Sequence, residues 1–139
     1  MVFYALLLAA PCEWWWRGRP TAPVQLVGLA LAVAGVVGYR RSGRALGEQL
    51  TPLVAPAEPA ALVEAGPYRR IRHPMYLAEL AIAAGVPVLL TAYLTLVVSA
   101  VFAALVVHRI GVEEKLLGAR FAAWADYAAR TSRLVPHVY

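Results

Sequence analysis

Hydrophobic and polar positions follow one another along this chain in long blocks rather than in short periods. The first block, Met1 to about Trp16, is apolar but interrupted by Pro11, Cys12 and Glu13. It closes on Trp14-Trp15-Trp16, followed by Arg17 and Arg19, an order that suits an interfacial aromatic anchor. At about 1.5 Å per residue its length is roughly 24 Å, a little less than a hydrocarbon core of about 30 Å. The second block, about Pro23 to Tyr39, carries Gly28, Gly35 and Gly38 and stops at Arg40-Arg41. Its small residues predict that a neighbouring helix approaches closely. Residues 42–65 form a polar connector with Pro52, Pro56 and Pro59 and no spanning segment. From Met75 to Ile110 nearly every position is apolar, far more than the roughly 20 residues one crossing takes. Pro87 and the Thr91-Ala92-Tyr93 stretch therefore predict a hairpin, with helices near 75–90 and 93–110. From Glu113 to Arg130, Leu117, Phe121, Trp124 and Ala128 recur at helical spacing against Lys115, Arg120, Asp126 and Arg130. That pattern predicts an interfacial amphipathic helix.

The fold these blocks predict is all-α and integral to a membrane, with about four transmembrane helices. A single membrane domain, 1–139, then comprises two N-terminal helices (1–40), a cytoplasmic connector (41–74), the hairpin (75–110) and a cytoplasmic-face tail (111–139). Composition points the same way: 61% of residues are hydrophobic and 15% charged, against roughly 45–50% apolar in soluble domains. The N-terminus has no basic n-region and no small-residue cleavage site, so it reads as a retained helix.

Charge sharpens the topology. The net charge of +5 does not point to nucleic acid, because the basic residues flank apolar blocks instead of forming one stripe. With four crossings, the loop 17–22 carries only Arg17 and Arg19. The opposite face carries Arg40, Arg41, Arg44, Arg69, Arg70, Arg72, Arg109, Lys115, Arg120, Arg130 and Arg133. The positive-inside rule places that face, and both termini, in the cytoplasm. The alanine-rich composition suggests a bacterial cytoplasmic membrane. Four short helices would gain buried surface by pairing, so a homo-oligomer is compatible with the sequence, which does not demand one.

Chemistry concentrates in two polar blocks. One is Gly66-Pro67-Tyr68-Arg69-Arg70-Ile71-Arg72-His73-Pro74-Met75-Tyr76; the other, after the apolar run, is Gly111-Val112-Glu113-Glu114. The predicted topology brings both to the same membrane face. Ionisable clusters at membrane depth are candidate sites. Metal chemistry is not indicated: Cys12 is the sole cysteine, and His73, His108 and His137 lack local ligand spacing. Plainer readings compete. Arg69 and Arg70 suit a stop-transfer cluster, Pro74 suits a first helical turn, and Glu13 suits a structural place near an interface. Trp124 and Tyr127 suit interfacial anchors.

These two blocks, in this order around a hairpin, resemble the isoprenylcysteine carboxyl methyltransferase and phospholipid methyltransferase superfamily. The matching residues are Gly66-Pro67-Tyr68, Arg72-His73-Pro74, Tyr76, Glu113-Glu114, Leu117, Phe121, Trp124, Tyr127 and Arg133-Leu134-Val135-Pro136. They cover about residues 45–136. The chain departs from the pattern at Ala78 and Ala122, where glycine is usual, and by one residue fewer before Trp124. The resemblance implies an integral membrane enzyme that uses S-adenosyl-L-methionine. It implies that Tyr68, His73, Pro74, Tyr76 and Glu113 bind the cofactor, with His73 donating to its methionyl carboxylate. It implies catalytic roles for Arg72, Glu114 and Arg133, the arginines holding an acceptor's carboxylate or phosphate bidentately. The acceptor is expected to be lipid-like or prenylated, entering sideways from the membrane lipids.

Methyl transfer from a sulfonium needs positioning more than acid or base when the nucleophile is anionic. A carboxylate acceptor, which we favour, asks for an arginine; an amine acceptor, as in phospholipid N-methylation, asks for a proton acceptor, for which Glu114 is available. Two other classes fit less well. Sterol reductases share a similar carboxy-terminal half but are far longer, and a non-enzymatic scaffold would tolerate substitution of His73, Glu113 and Glu114.

Overall fold

The structure, a computed structural model, describes residues 2–17, 22–47 and 62–136. Among the described residues five α-helices follow one another: α1 (Val2–Arg17), α2 (Ala22–Leu46), α3 (Pro74–Leu89), α4 (Tyr93–Arg120) and α5 (Trp124–Arg130). A short 3₁₀ turn, Gly66–Arg69, precedes α3. Among the described residues the one sheet-like pairing is an isolated parallel bridge between Ile71 and Ser132. Pro52, Pro56, Pro59 and the inter-helix residues 18–21 lie outside the described residues. Two stretches, Pro23–Leu46 and Tyr93–Arg120, are long and apolar enough to cross a membrane, and Pro74–Leu89 is a shorter apolar helix.

Three helix boundaries differ from those the pattern predicts. α2 runs on to Leu46 instead of stopping near Tyr39, because Arg40, Arg41 and Arg44 are good helix formers. α4 runs through Gly111, Glu113 and Glu114 to Arg120, so the acidic pair sits inside a helix. The amphipathic stretch predicted for 113–130 is accordingly split at Phe121–Ala123, leaving α5 as a seven-residue helix.

The chain forms two compact units: Met1–Val37 with Ala78–Leu105, and Gly38–Leu77 with Val106–Tyr139. In the first, α2 and α3 meet backbone to backbone. A Cβ added at Gly28 would lie 2.2 Å from the Leu89 nitrogen, and one at Gly85 would lie 2.5 Å from the Ala32 nitrogen. No side chain fits at either place, so glycine is what allows the approach. Most other α2 side chains, Val24, Leu26, Val27 and Leu31 among them, are exposed. Pro87, inside α3, has no N–H to give to the Ala83 carbonyl one turn earlier. That carbonyl instead accepts from the buried Ser99 hydroxyl of α4 at 2.6 Å. Glu13 of α1 caps α4 from outside it, accepting from the Leu94 and Thr95 amides at 2.8 Å each and from the Thr95 hydroxyl at 2.8 Å. A carboxylate at a helix N-terminus satisfies orphan donors and complements the dipole.

In the second unit, Gly66 has φ +58°, the left-handed conformation glycine accepts readily. Pro67 then opens the 3₁₀ turn. The tail lies alongside the segment leading into α3. The Arg72 amide donates to the Ser132 carbonyl at 2.8 Å, the His73 amide to Arg133 at 3.0 Å, and the Ser132 amide to Arg70 at 3.0 Å. Tyr127, 2% exposed, donates its hydroxyl to the Tyr68 carbonyl at 2.9 Å. It is core, not an interfacial anchor. Its fixed partner lies 59 residues away in sequence, which is why no local pattern marks it.

Candidate active site

The second unit gathers every residue that the two polar blocks single out, and it sorts the two glutamates into different surroundings. Glu114 is held by two arginines. Arg72 Nε donates to its Oε1 at 2.9 Å, and Arg133 donates to Oε2 through Nε at 2.9 Å and Nη2 at 2.8 Å. Arg72 also ties the tail: its Nη1 donates to the Ala128 carbonyl at 2.7 Å and to the Thr131 carbonyl. Charge-assisted bonds of this kind are roughly twice as strong as neutral ones. One side-chain fork thus fixes α4, the pre-α3 segment and the end of α5.

Glu113 accepts from the Tyr76 hydroxyl at 2.8 Å. The Tyr76 ring stacks on the His73 imidazole, centroids 5.7 Å apart and 27° between planes. The Arg109 guanidinium sits 5.7 Å from the centre of the same Tyr76 ring, a cation–π distance. Arg109 precedes Glu113 by four residues on α4, so both lie on one helical face.

His73 is buried, 5% exposed. Its Nε2 lies 3.4 Å from Glu114 Oε1, an ion-pair distance, but the two are not aligned for a well-directed hydrogen bond. A buried nitrogen in that condition costs free energy unless a ligand meets it. Tyr68 is buried too, and its hydroxyl is pushed well above the ordinary tyrosine range, first by burial and then by the neighbouring Tyr127, Glu113 and Tyr76. It therefore stays a neutral hydrogen-bonding group. Burial likewise pushes Tyr127 up to about 12, with Glu64 adding to the rise and Arg72 and Arg130 opposing it.

The model of the phospholipid methyltransferase family matches residues 24–123. The chain belongs to this family. Among solved structures it is similar to a eukaryotic intramembrane Ras methyltransferase, an isoprenylcysteine carboxyl methyltransferase, with a TM-score of 0.77 and 20% identity. The match covers 99% of this chain and 51% of that one, so the chain spans about half the length of its structural neighbour. No curated protein sequence matches it significantly.

In this phospholipid methyltransferase family member, Tyr68, Arg72, His73, Pro74, Tyr76, Glu113, Glu114 and Arg133 all fall in the second unit. Hydrogen bonds, ion pairs or ring contacts join Arg72, Glu114 and Arg133, and likewise His73, Tyr76 and Glu113, with the 3.4 Å approach of His73 to Glu114 linking the two sets. Pro74 is the first residue of α3, where its missing N–H costs nothing. Arg109 was not singled out by the sequence, where it counted only toward topology. The signal that could have found it is its i, i+4 spacing to Glu113.

Proposed function

We propose that this chain is an integral membrane methyltransferase that uses S-adenosylmethionine and acts on a lipid-like acceptor bearing a carboxylate. The observation that carries the reading is the buried His73 Nε2, left without a hydrogen bond beside the Tyr76–Glu113 pair. A donor, two phenols and a carboxylate suit the three parts of such a cofactor: an amino-acid carboxylate, a nucleoside and a sulfonium. When bound, S-adenosylmethionine would supply an electrophilic methyl group on sulfur, open to in-line attack by an acceptor oxygen with the sulfur leaving as a neutral thioether. His73 holds the cofactor's carboxylate end. Tyr68 and Tyr76 stack or hydrogen-bond along the nucleoside, and Pro74 fixes the helix start beside them. Glu113, oriented by the Tyr76 hydroxyl, favours the cationic sulfur. The reaction joins a cation and an anion into neutral products, so a site shielded from water assists it.

We assign Arg72 and Glu114 the task of holding this geometry, because their polar atoms are already engaged with each other and with the tail. Arg133, 40% exposed, and Arg109, over the Tyr76 ring, supply the positive charge that draws the acceptor carboxylate. Both Glu114 oxygens accept from arginine, which leaves that residue badly placed to take a proton from an amine. This favours O-methylation over phospholipid N-methylation. Four crossings, with the site on the cytoplasmic face, complete the reading.

The test is calorimetric titration of purified, detergent-solubilised protein with S-adenosylhomocysteine, beside His73→Ala and Glu113→Gln. Micromolar binding lost in both folded variants is the expected outcome; no binding by folded wild type would sink the reading. Labelled-methyl transfer to a prenylcysteine, compared with phosphatidylethanolamine, then separates the two acceptor classes.

A further inference from the structure

Ser99 and Thr131 show what a buried or half-buried hydroxyl on a helix or at its end ordinarily does. Ser99 donates to the Thr95 carbonyl at 3.0 Å as well as to Ala83, and Thr131 donates to the Tyr127 carbonyl at 2.6 Å. Bonding the carbonyl four residues back is the usual resource of a helical hydroxyl. Ser42 does not use it. Its side chain is 1% exposed and its Oγ makes no hydrogen bond. The hydroxyl is small, apolar surroundings would welcome alanine there, and an unmet buried hydroxyl is costly.

The neighbours of α2 say what Ser42 faces. The Cβ position at Gly35 meets the Ala78 carbonyl at 2.8 Å, and Ala45 meets the Cβ position at Gly66 at 3.5 Å. Ser42 lies about one turn before Ala45 on the same side of α2, and in their shared unit Ala45 packs against Gly66, where the segment leading to His73 begins. Within the second unit, Ser42 Oγ and His73 Nε2 are both buried and both without a hydrogen bond. A hydroxyl and an imidazole nitrogen can each donate to a carboxylate, and two such donors in one unit suit its recognition.

We propose that Ser42 is a further binding residue of the S-adenosyl cofactor, its hydroxyl donating, with the His73 imidazole, to the carboxylate of the amino-acid end. This rests on the reading of the site as an S-adenosyl site. It places part of that site on α2, ahead of the two polar blocks that mark the rest.

The experiment titrates the full-length detergent-solubilised chain, wild type and Ser42→Ala, with two probes. S-adenosylhomocysteine carries the amino-acid end; 5′-methylthioadenosine lacks it. We expect Ser42→Ala to bind S-adenosylhomocysteine about tenfold more weakly, one charge-assisted hydrogen bond, and to bind 5′-methylthioadenosine like wild type. The ligand-free thermal midpoint should be unchanged or higher, because an unmet hydroxyl has been removed. Unaltered S-adenosylhomocysteine affinity would overturn the Ser42 assignment and leave the cofactor reading standing. Equal weakening of both probes would overturn the carboxylate assignment, and a lowered ligand-free midpoint would make Ser42 a packing residue. Folded wild type that binds neither probe would remove the cofactor reading itself.

Discussion

The glycine-lined contact of α2 with α3 and the Arg72–Glu114–Arg133 cluster hold the same kinds of helix by opposite means. At Gly28, Gly35 and Gly85 backbone atoms of the facing helix lie within 3 Å of where a Cβ would sit, and the Ile82 side chain packs against Gly35 as well. Around Glu114, long charged side chains fill the space and reach across the unit through directed hydrogen bonds. The first contact depends on shape and tolerates no added atom; the second depends on charge and tolerates no missing partner. Apolar packing of this kind leaves no polar group open, whereas the polar unit holds the Ser42 hydroxyl buried without a hydrogen bond.

The comparison is broken most severely at the tightest glycine. Gly28→Leu puts a Cβ 2.2 Å from the backbone nitrogen of Leu89, an overlap no rotamer relieves. We expect a loss of about 3 kcal/mol or more, seen as aggregation or a collapsed thermal midpoint in detergent. Glu114→Ala comes next. It strands Arg72, whose side chain is 11% exposed, and should cost about 3 kcal/mol, since breaking a buried pair leaves its partner uncompensated. Glu113→Gln, one residue away, should leave the thermal midpoint nearly unchanged while weakening S-adenosylhomocysteine binding. Equal destabilisation by the two glutamate substitutions would erase the distinction drawn between them.

Smaller effects sharpen each side. Ser99→Ala removes the donor that meets the Ala83 carbonyl and should cost about 1–2 kcal/mol by reversible unfolding. Tyr127→Phe should cost about 1 kcal/mol through its lost bond to Tyr68. Because Tyr127 is raised from the ordinary tyrosine value to about 12 in the folded state, its contribution is complete below pH 10 and fades as pH climbs toward 12. Wild type should lose that increment over this alkaline window, and Tyr127→Phe should not.

The helices were legible because long apolar runs and their arginine boundaries are local facts. The paired blocks R-H-P-x-Y and E-E stood out as a candidate site because those residue types are expensive among apolar helices. What escaped was long-range satisfaction. Glu113-Glu114 looked like a helix end; the helix continues because Arg72, Arg133 and Tyr76 answer the carboxylates from 19 to 42 residues away. Glu13 looked merely interfacial, and its partners are 81 and 82 residues distant. Tyr127 read as an anchor for the same reason. Ser42, one serine after an arginine pair, gives no local sign of its burial.

The proline in α3 has a bearing on how the protein comes to be built. A helix of sixteen residues reaches only about 24 Å, and one of its carbonyls finds its donor on α4. In lipid an open carbonyl is costly, so α3 released alone into a bilayer would be both too short and incompletely bonded. With α4 alongside, Ser99 closes the defect. Under the proposed four-crossing reading, the two helices are therefore best suited to enter the membrane as a preformed pair, the later segment carrying the earlier one in.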